Sequence, residues 1–192
     1  IDSGCHGITV HPRNDMRHIT PEDVKILNEL TNEADVEFNI EGNPFNKEQE
    51  KYPGFLQLIK TYQPDQCTLV PDESNQLTSD HGWDFLQDNN SLASIIETIK
   101  TYGTRVSLFI DPTEEGISKA REIGADRIEL YTGPYAEAVE HQIDTDDLIK
   151  QYSTAANHAH NIGLGVNAGH DLNLLNLGIF LSECDIDEVS IG

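Results

Sequence analysis

The apolar and polar residues of this chain alternate between two periods from one end to the other. Short runs of β-branched and aliphatic residues, with little strict alternation, are typical of strands buried on both faces of a parallel sheet. The stretches between these runs repeat with the period of a helix that hides one apolar face. The pattern predicts seven strands, at residues 7–10, 36–40, 67–70, 106–110, 127–131, 164–166 and 188–191.

Six helical stretches separate the predicted strands. The first has a clear start, because Thr20 suits the N-cap and Pro21 suits the first helical position. The sixth stretch, near the end of the chain, is apolar on every side, so we expect it to be covered by other parts of the protein and shielded from water. The remaining helices are predicted beyond Phe45, from Ser91, after Pro112 and from Thr145, and the last around Leu174, Leu175, Leu177, Phe180 and Leu181.

Strands that alternate with helices predict an α/β fold with right-handed crossovers. Two architectures fit this order, an open doubly wound sheet or a closed (β/α)8 barrel. No G-x-G-x-x-G run follows the first strand, which lowers the case for a doubly wound nucleotide-binding sheet. No linker or low-complexity stretch divides the chain, so residues 1–192 are expected to form a single domain.

The charge of the chain excludes several partners. Its 12 Lys and Arg residues stand against 34 Asp and Glu residues, a net charge of −22. Such an excess repels nucleic acid and anionic membrane surfaces, and no apolar run approaches the ~20 residues of a membrane span. Three widely spaced cysteines suit a reducing compartment, so we expect a cytoplasmic protein.

Ionisable side chains follow the predicted strands, where a barrel would gather them around one mouth. His11 and Arg13 follow the first strand, and Glu41 ends the second. Glu129 lies within the fifth, and His170 closes a tight Asn-Ala-Gly-His run after the sixth. Each alone could be structural, as a satisfied histidine or a buried ion pair. A carboxylate at the end of an apolar strand is costly unless it is paired or used.

These residue types suit acid/base chemistry on a phosphorylated ligand. His11, Glu41 and His170 would supply groups for a series of proton transfers and dehydrations. Arg13 and His18 bring positive charge suited to a phosphate. A metal site built from the same histidines is the chemical alternative, and their spacing gives it little support. The residues therefore favour an enzyme without a metal.

Six motifs, in order, resemble the pyridoxine 5′-phosphate synthase family of vitamin B6 biosynthesis. They are GITVHPR at 7–13, NIEG at 39–42, LVPD at 69–72, VSLFID at 106–111, ELYTG at 129–133 and VNAGH at 166–170. The resemblance implies a (β/α)8 TIM barrel that assembles as a homo-octamer and needs no cofactor. It also implies that 3-amino-2-oxopropyl phosphate and 1-deoxy-D-xylulose 5-phosphate are joined to close the pyridine ring.

The resemblance also implies the roles of individual residues. His11, Glu41 and His170 match general acid/base groups, and Glu129 matches a carboxylate that stabilises the transition state. The positions that match substrate contacts are Arg13, His18 and Thr78 for the deoxyxylulose phosphate, and Asp171 and Gly192 for the aminoacetone phosphate. Asp171 stands where some members have glycine, so its contact is expected through the main chain.

The two ends of the chain depart from the family pattern. The first family strand, with its Asn-x-Asp-His run and a following loop arginine, has no counterpart, and neither does the segment after Gly192. We therefore expect an incomplete barrel, truncated at both ends, that holds strands two to eight. Two alternatives stay open: another phosphate-binding barrel enzyme, such as an isomerase or lyase, or an inactive barrel that serves as an assembly module.

Overall fold

The computed structural model describes residues 4–73, 76–85 and 90–191. Among these residues, seven strands lie in one sheet, in the order that they have along the chain. The strands are β1 (Gly7–Val10), β2 (Glu37–Gly42), β3 (Gln66–Leu69), β4 (Arg105–Ile110), β5 (Arg127–Tyr131), β6 (Gly165–Gly169) and β7 (Glu188–Ser190).

The strand order distinguishes the two predicted architectures. Strands β1, β2 and β3 pair in parallel, and so do β5, β6 and β7. In a doubly wound sheet the order reverses at a switch point, and no reversal occurs in the described sheet. A sequential parallel order with helices between the strands is the topology of the (β/α)8 class. The predicted fold class, α/β with an incomplete TIM-barrel topology, is confirmed.

Helices connect the strands, and one of them was not predicted. The helix Gly133–Glu140 follows β5 directly, and its Gly-Pro start has the composition of a turn. No helix in the described part of the chain is long and apolar enough to cross a membrane. The helices are α1 (Pro21–Ala34), α2 (Phe55–Tyr62), α3 (Asn90–Lys100), α4 (Glu114–Glu122), α5 (Gly133–Glu140), α6 (Asp146–Asn161) and α7 (Leu177–Glu183).

The last apolar stretch differs from its prediction. Helix α7 begins only at Leu177, so Leu174 and Leu175 lie in the turn before it. Their exposed fractions are 99% and 84%, and Ile179 within the helix is 56% exposed. The expectation that this stretch is covered is therefore wrong for the chain described.

The chain divides into two compact units, of which the first contains residues 1–79 and 90–107. Helix α1 in this unit begins as predicted: the Asp23 N–H donates to the Thr20 hydroxyl, and the Thr20 N–H donates to the Asp23 carboxylate at 2.8 Å. This reciprocal cap satisfies two donors at the start of the helix. The unit's core includes Phe38, Ile40 and Phe55, all almost fully buried.

The second unit contains residues 80–89 and 108–192. Its core holds an aromatic cluster of Tyr135, Tyr152 and Phe180, whose ring centroids lie 5.1–6.4 Å apart. Buried tyrosines need partners for their hydroxyls. The Tyr152 hydroxyl donates to the Tyr131 carbonyl at 2.6 Å, and the Tyr135 hydroxyl donates to the Asn176 carbonyl at 2.8 Å. These bonds tie α6 to the end of β5 and α5 to the loop that follows β6.

Candidate active site

In the first unit, two predicted acid/base residues form a pair at the ends of adjacent strands. The parallel register places Val10 beside Ile40, so the residues that follow, His11 and Glu41, also lie side by side. His11 Nδ1 is 3.2 Å from Glu41 Oε1, and the two side chains are 20% and 16% exposed. The pair can exchange a proton and is still accessible to a small ligand.

Polar and thiol groups lie next to this pair in the sheet. The Asn39 amide donates to the hydroxyls of Thr9 and Thr68 at 3.2 and 3.0 Å, and so bridges three strands. Burial, together with the nearby charge of Glu41, raises the pKa of the Cys67 thiol well above its usual value. The thiol therefore stays protonated and is unsuited to act as a nucleophile.

Arg13 is held by a carboxylate that the sequence analysis did not single out. Arg13 Nη2 lies 2.7 Å from Asp72 Oδ2, and the two side chains are only 10% and 3% exposed. The Ser79 hydroxyl donates to the same oxygen at 2.9 Å. The signal that could have found Asp72 is its position directly after the third buried strand. The two other predicted binding residues of this unit, His18 and Thr78, are exposed.

In the second unit, Glu129 is packed against the backbone of Gly169. Glu129 is 3% exposed, on β5, and its carboxylate oxygen occupies the space that a Cβ atom at residue 169 would need. Only glycine leaves room for this close approach. The carboxylate is thereby placed beside the residue that precedes His170.

The turn after β6 has an unusual backbone. His170 and Asp171 both have positive φ, +92° and +58°, which non-glycine residues rarely adopt. The buried Thr132 hydroxyl shares its hydrogen between the carbonyls of Gly169 and His170, at 2.7 and 2.5 Å. The Asn176 amide donates to the Asp171 carbonyl at 3.0 Å. Strain of this kind persists where surrounding contacts hold it, and it is common at functional sites.

The His170 ring lies between a carboxylate and an aromatic ring. Its Nδ1 is 2.7 Å from Asp171 Oδ2, and its ring meets that of Tyr131 edge to face, with centroids 5.2 Å apart. Burial and then the charge of Asp171 raise the pKa of Tyr131, which keeps its hydroxyl protonated. Tyr131 and Asp171 also line a cleft of about 900 Å³.

The structure thus groups the predicted residues within each unit. His11 meets Glu41 in the first unit, while Glu129, His170 and Asp171 cluster around the end of β6 in the second. Gly192 lies outside the described residues. No cluster of three or more potential metal ligands occurs in residues 4–73, 76–85 and 90–191. Thr132 was noted only as part of the ELYTG motif, and Asn176 was missed, because hydroxyl and amide side chains in loops have no distinctive pattern.

Comparisons with known proteins agree with the motifs. The sequence model of the family described as "Pyridoxal phosphate biosynthesis protein PdxJ" matches residues 1–192. The chain is 55% identical to pyridoxine 5′-phosphate synthase of Xanthomonas axonopodis pv. citri, over 100% of the chain and 75% of that protein. It is 52% identical to the synthase of Xylella fastidiosa strain M23, over 100% of the chain and 74% of that protein. The structure also superposes on the crystal structure of citrate synthase SbnG with a TM-score of 0.59, over 100% of this chain and 78% of that protein. The two sequences are only 11% identical, so this likeness concerns the fold alone.

Proposed function

Because the chain belongs to the pyridoxal phosphate biosynthesis protein PdxJ family, we propose that its function is to close the pyridine ring of pyridoxine 5′-phosphate. The reaction condenses 3-amino-2-oxopropyl phosphate with 1-deoxy-D-xylulose 5-phosphate and releases phosphate and water. The observation that carries this proposal is the family match over residues 1–192. An isomerase or lyase on the same fold would have no need for this whole set of motifs.

The reaction requires several proton transfers. The amine adds to the sugar ketone and water leaves, the sugar phosphate departs as inorganic phosphate, and a new carbon–carbon bond closes the ring. Each addition needs a base to accept a proton, and each loss of water needs an acid to supply one. A site for this chemistry therefore needs more than one group that can both hold and release a proton.

We assign these transfers to His11, Glu41 and His170. The 3.2 Å contact between His11 and Glu41 supports the assignment, because a proton taken up by one group can be passed to the other. The assignment of His170 is supported by its positive φ in the turn after β6 and by its contact with Asp171. We assign to Glu129, which is buried and packed against the Gly169 backbone, the stabilisation of positive charge that develops on the condensing nitrogen.

The substrate contacts are assigned to residues whose side chains or backbone can bind a phosphate group. Arg13 presents a guanidinium that can bind a phosphate through two hydrogen bonds, and Asp72 fixes its direction. We place the deoxyxylulose phosphate on Arg13, His18 and Thr78. The aminoacetone phosphate is assigned to the backbone of Asp171 and to Gly192.

The whole protein is proposed to act as one barrel domain in the cytoplasm, within a homo-octamer. The exposed Leu174 and Leu175 support self-association, since apolar side chains of this size are usually covered in an assembled protein. Light scattering of the full-length protein tests the assembly: a mass of eight subunits is expected, and a monomer at micromolar concentration would contradict it.

The proposed activity is tested with the full-length protein and both substrates. Pyridoxine 5′-phosphate should form, identified by mass spectrometry, and inorganic phosphate should appear in equal amount. Omitting either substrate is the control. If a folded full-length protein forms no product from both substrates, the proposed function is wrong.

A further inference from the structure

The contact between His170 and Asp171 gives the histidine ring a fixed direction. Asp171 Oδ2 lies 2.7 Å from His170 Nδ1, and the His170 side chain is 19% exposed. An ionised carboxylate only accepts hydrogen bonds, so Nδ1 must carry the hydrogen in this contact. The lone pair of the neutral ring is then on Nε2, which becomes the nitrogen that exchanges protons with a ligand.

The backbone around the contact is held from two sides. Both residues of the pair have positive φ, a backbone that non-glycine residues rarely adopt and that surrounding contacts must hold. The Thr132 hydroxyl binds the carbonyl of His170, and the Asn176 amide binds the carbonyl of Asp171. Thr132 is fully buried and Asn176 is 2% exposed, so these bonds are protected from water. The backbone that carries the pair is therefore fixed by buried bonds, while the Asp171 carboxylate itself is 65% exposed.

We propose that Asp171 is a positioning residue that sets the tautomer and orientation of His170 for proton transfer. This rests on the proposed function, in which His170 is an acid/base group. The proposal gives the Asp171 side chain a role of its own, in addition to the substrate contact assigned to the Asp171 main chain. A carboxylate that accepts from one ring nitrogen of a histidine fixes its tautomer. At metal-bound histidines the loss of such a partner costs about 10- to 100-fold, and we expect a loss of the same order here.

The test uses two substitutions of Asp171 in the full-length protein. Asp171→Gly removes the carboxylate and suits the positive φ at this position, so the turn should fold. Asp171→Asn keeps an oxygen that can accept from Nδ1. Asp185→Asn is the matched control, because Asp185 Oδ2 also lies near a histidine nitrogen, 3.5 Å from His160 Nδ1. His160 belongs to helix α6 and has no proposed part in the reaction.

The first measurement is the tautomer of His170, read from two-bond ¹H–¹⁵N correlation spectra of the imidazole ring. The His170 signals are assigned by their loss in His170→Gln. In the parent protein and in Asp185→Asn we expect the pattern of a ring with hydrogen on Nδ1. In Asp171→Gly the signals should move towards the opposite tautomer. An unchanged pattern in Asp171→Gly overturns the proposal.

The second measurement is steady-state kinetics with both substrates. In Asp171→Gly, kcat should fall by about tenfold or more, with the KM values of both substrates unchanged, and Asp171→Asn should recover part of the loss. A rise in KM for 3-amino-2-oxopropyl phosphate at parental kcat would make the Asp171 side chain a substrate contact and overturn the positioning role. If the parent protein forms no product, the proposed function fails, while the spectra still decide whether Asp171 sets the tautomer.

Discussion

The close packing of Glu129 on Gly169 allows the carboxylate to be moved by changing the glycine alone. A methyl group in Gly169→Ala would overlap the carboxylate oxygen, and it would lie 3.2 Å from both Glu129 Cδ and Ser190 Cβ. Restoring ordinary contact, about 3.5 Å, requires the oxygen to move by about 1 Å. Misplacement of a catalytic group by about 1 Å costs about 100-fold in rate. We therefore expect kcat to fall about 100-fold.

The stability of Gly169→Ala should change much less than its activity. Alanine in a strand gains about 0.5–1 kcal/mol over glycine through the unfolded chain. The atom displaced is the end of a flexible side chain, so the cost of the overlap is of similar size. Urea unfolding should give a free energy within about 1 kcal/mol of the parent, which corresponds to about 2–4 °C in Tm for a protein of this size.

The same strand offers a matched control at its other end. A methyl group in Gly165→Ala would lie 2.9 Å from Arg127 Cζ, so it also displaces the end of a charged side chain. This substitution should affect stability to a similar extent and leave kcat at the parental value. If Gly169→Ala keeps the parental kcat, or if both variants lose activity equally, the position of Glu129 has no specific part in the reaction.

Three further outcomes are expected. His170→Ala should lower kcat by about 10²- to 10⁴-fold with parental far-ultraviolet circular dichroism, and retained turnover would assign the ring to packing. Thr132→Val should cost about 1–3 kcal/mol in urea unfolding, because the part-buried His170 carbonyl loses the Thr132 hydroxyl as a donor, while Thr132→Ser should stay near the parent. Burial alone would raise the pKa of Asp187, but the hydrogen bonds from the Val166 N–H and the His160 ring, with the charges of His160 and Arg127, bring it below its ordinary value. Asp187 therefore stabilises the protein at neutral pH, and this contribution is lost as pH falls through its folded-state pKa, so Asp187→Asn should flatten the loss of urea stability between about pH 5 and pH 3.

Much of the fold could be predicted because strands buried on both faces leave a strong signal. The fifth strand was predicted with its observed bounds, Arg127–Tyr131, and the Thr20 cap was confirmed. Helix α5 was missed because its short apolar face follows a Gly-Pro pair. The turn at Leu174 was predicted as helix because apolar spacing alone does not distinguish a covered helix from an exposed apolar turn.

For the candidate site, the sequence predicted which residues lie at the ends of the strands, but not the contacts that their side chains make in the loops. Sequence order places His11 and Glu41 after neighbouring parallel strands, so their meeting follows from topology. The contacts of Asp72 with Arg13 and of Asp171 with His170 depend on loop backbone and rotamers. Neither the loop backbone nor the rotamers can be predicted from the sequence pattern. A histidine with positive φ, for example, has no distinctive neighbours in the sequence.

The backbone of His170 has a consequence for how variants of this protein would fare under selection. Holding a non-glycine residue at φ +92° costs about 1–3 kcal/mol, and glycine would remove most of that cost. A library selected only for heat resistance should therefore discard this histidine early. A library selected for growth without added vitamin B6 should keep the histidine, because strained residues at active sites lower stability but are needed for activity. The codon for residue 170 should therefore change under the first selection and be preserved under the second.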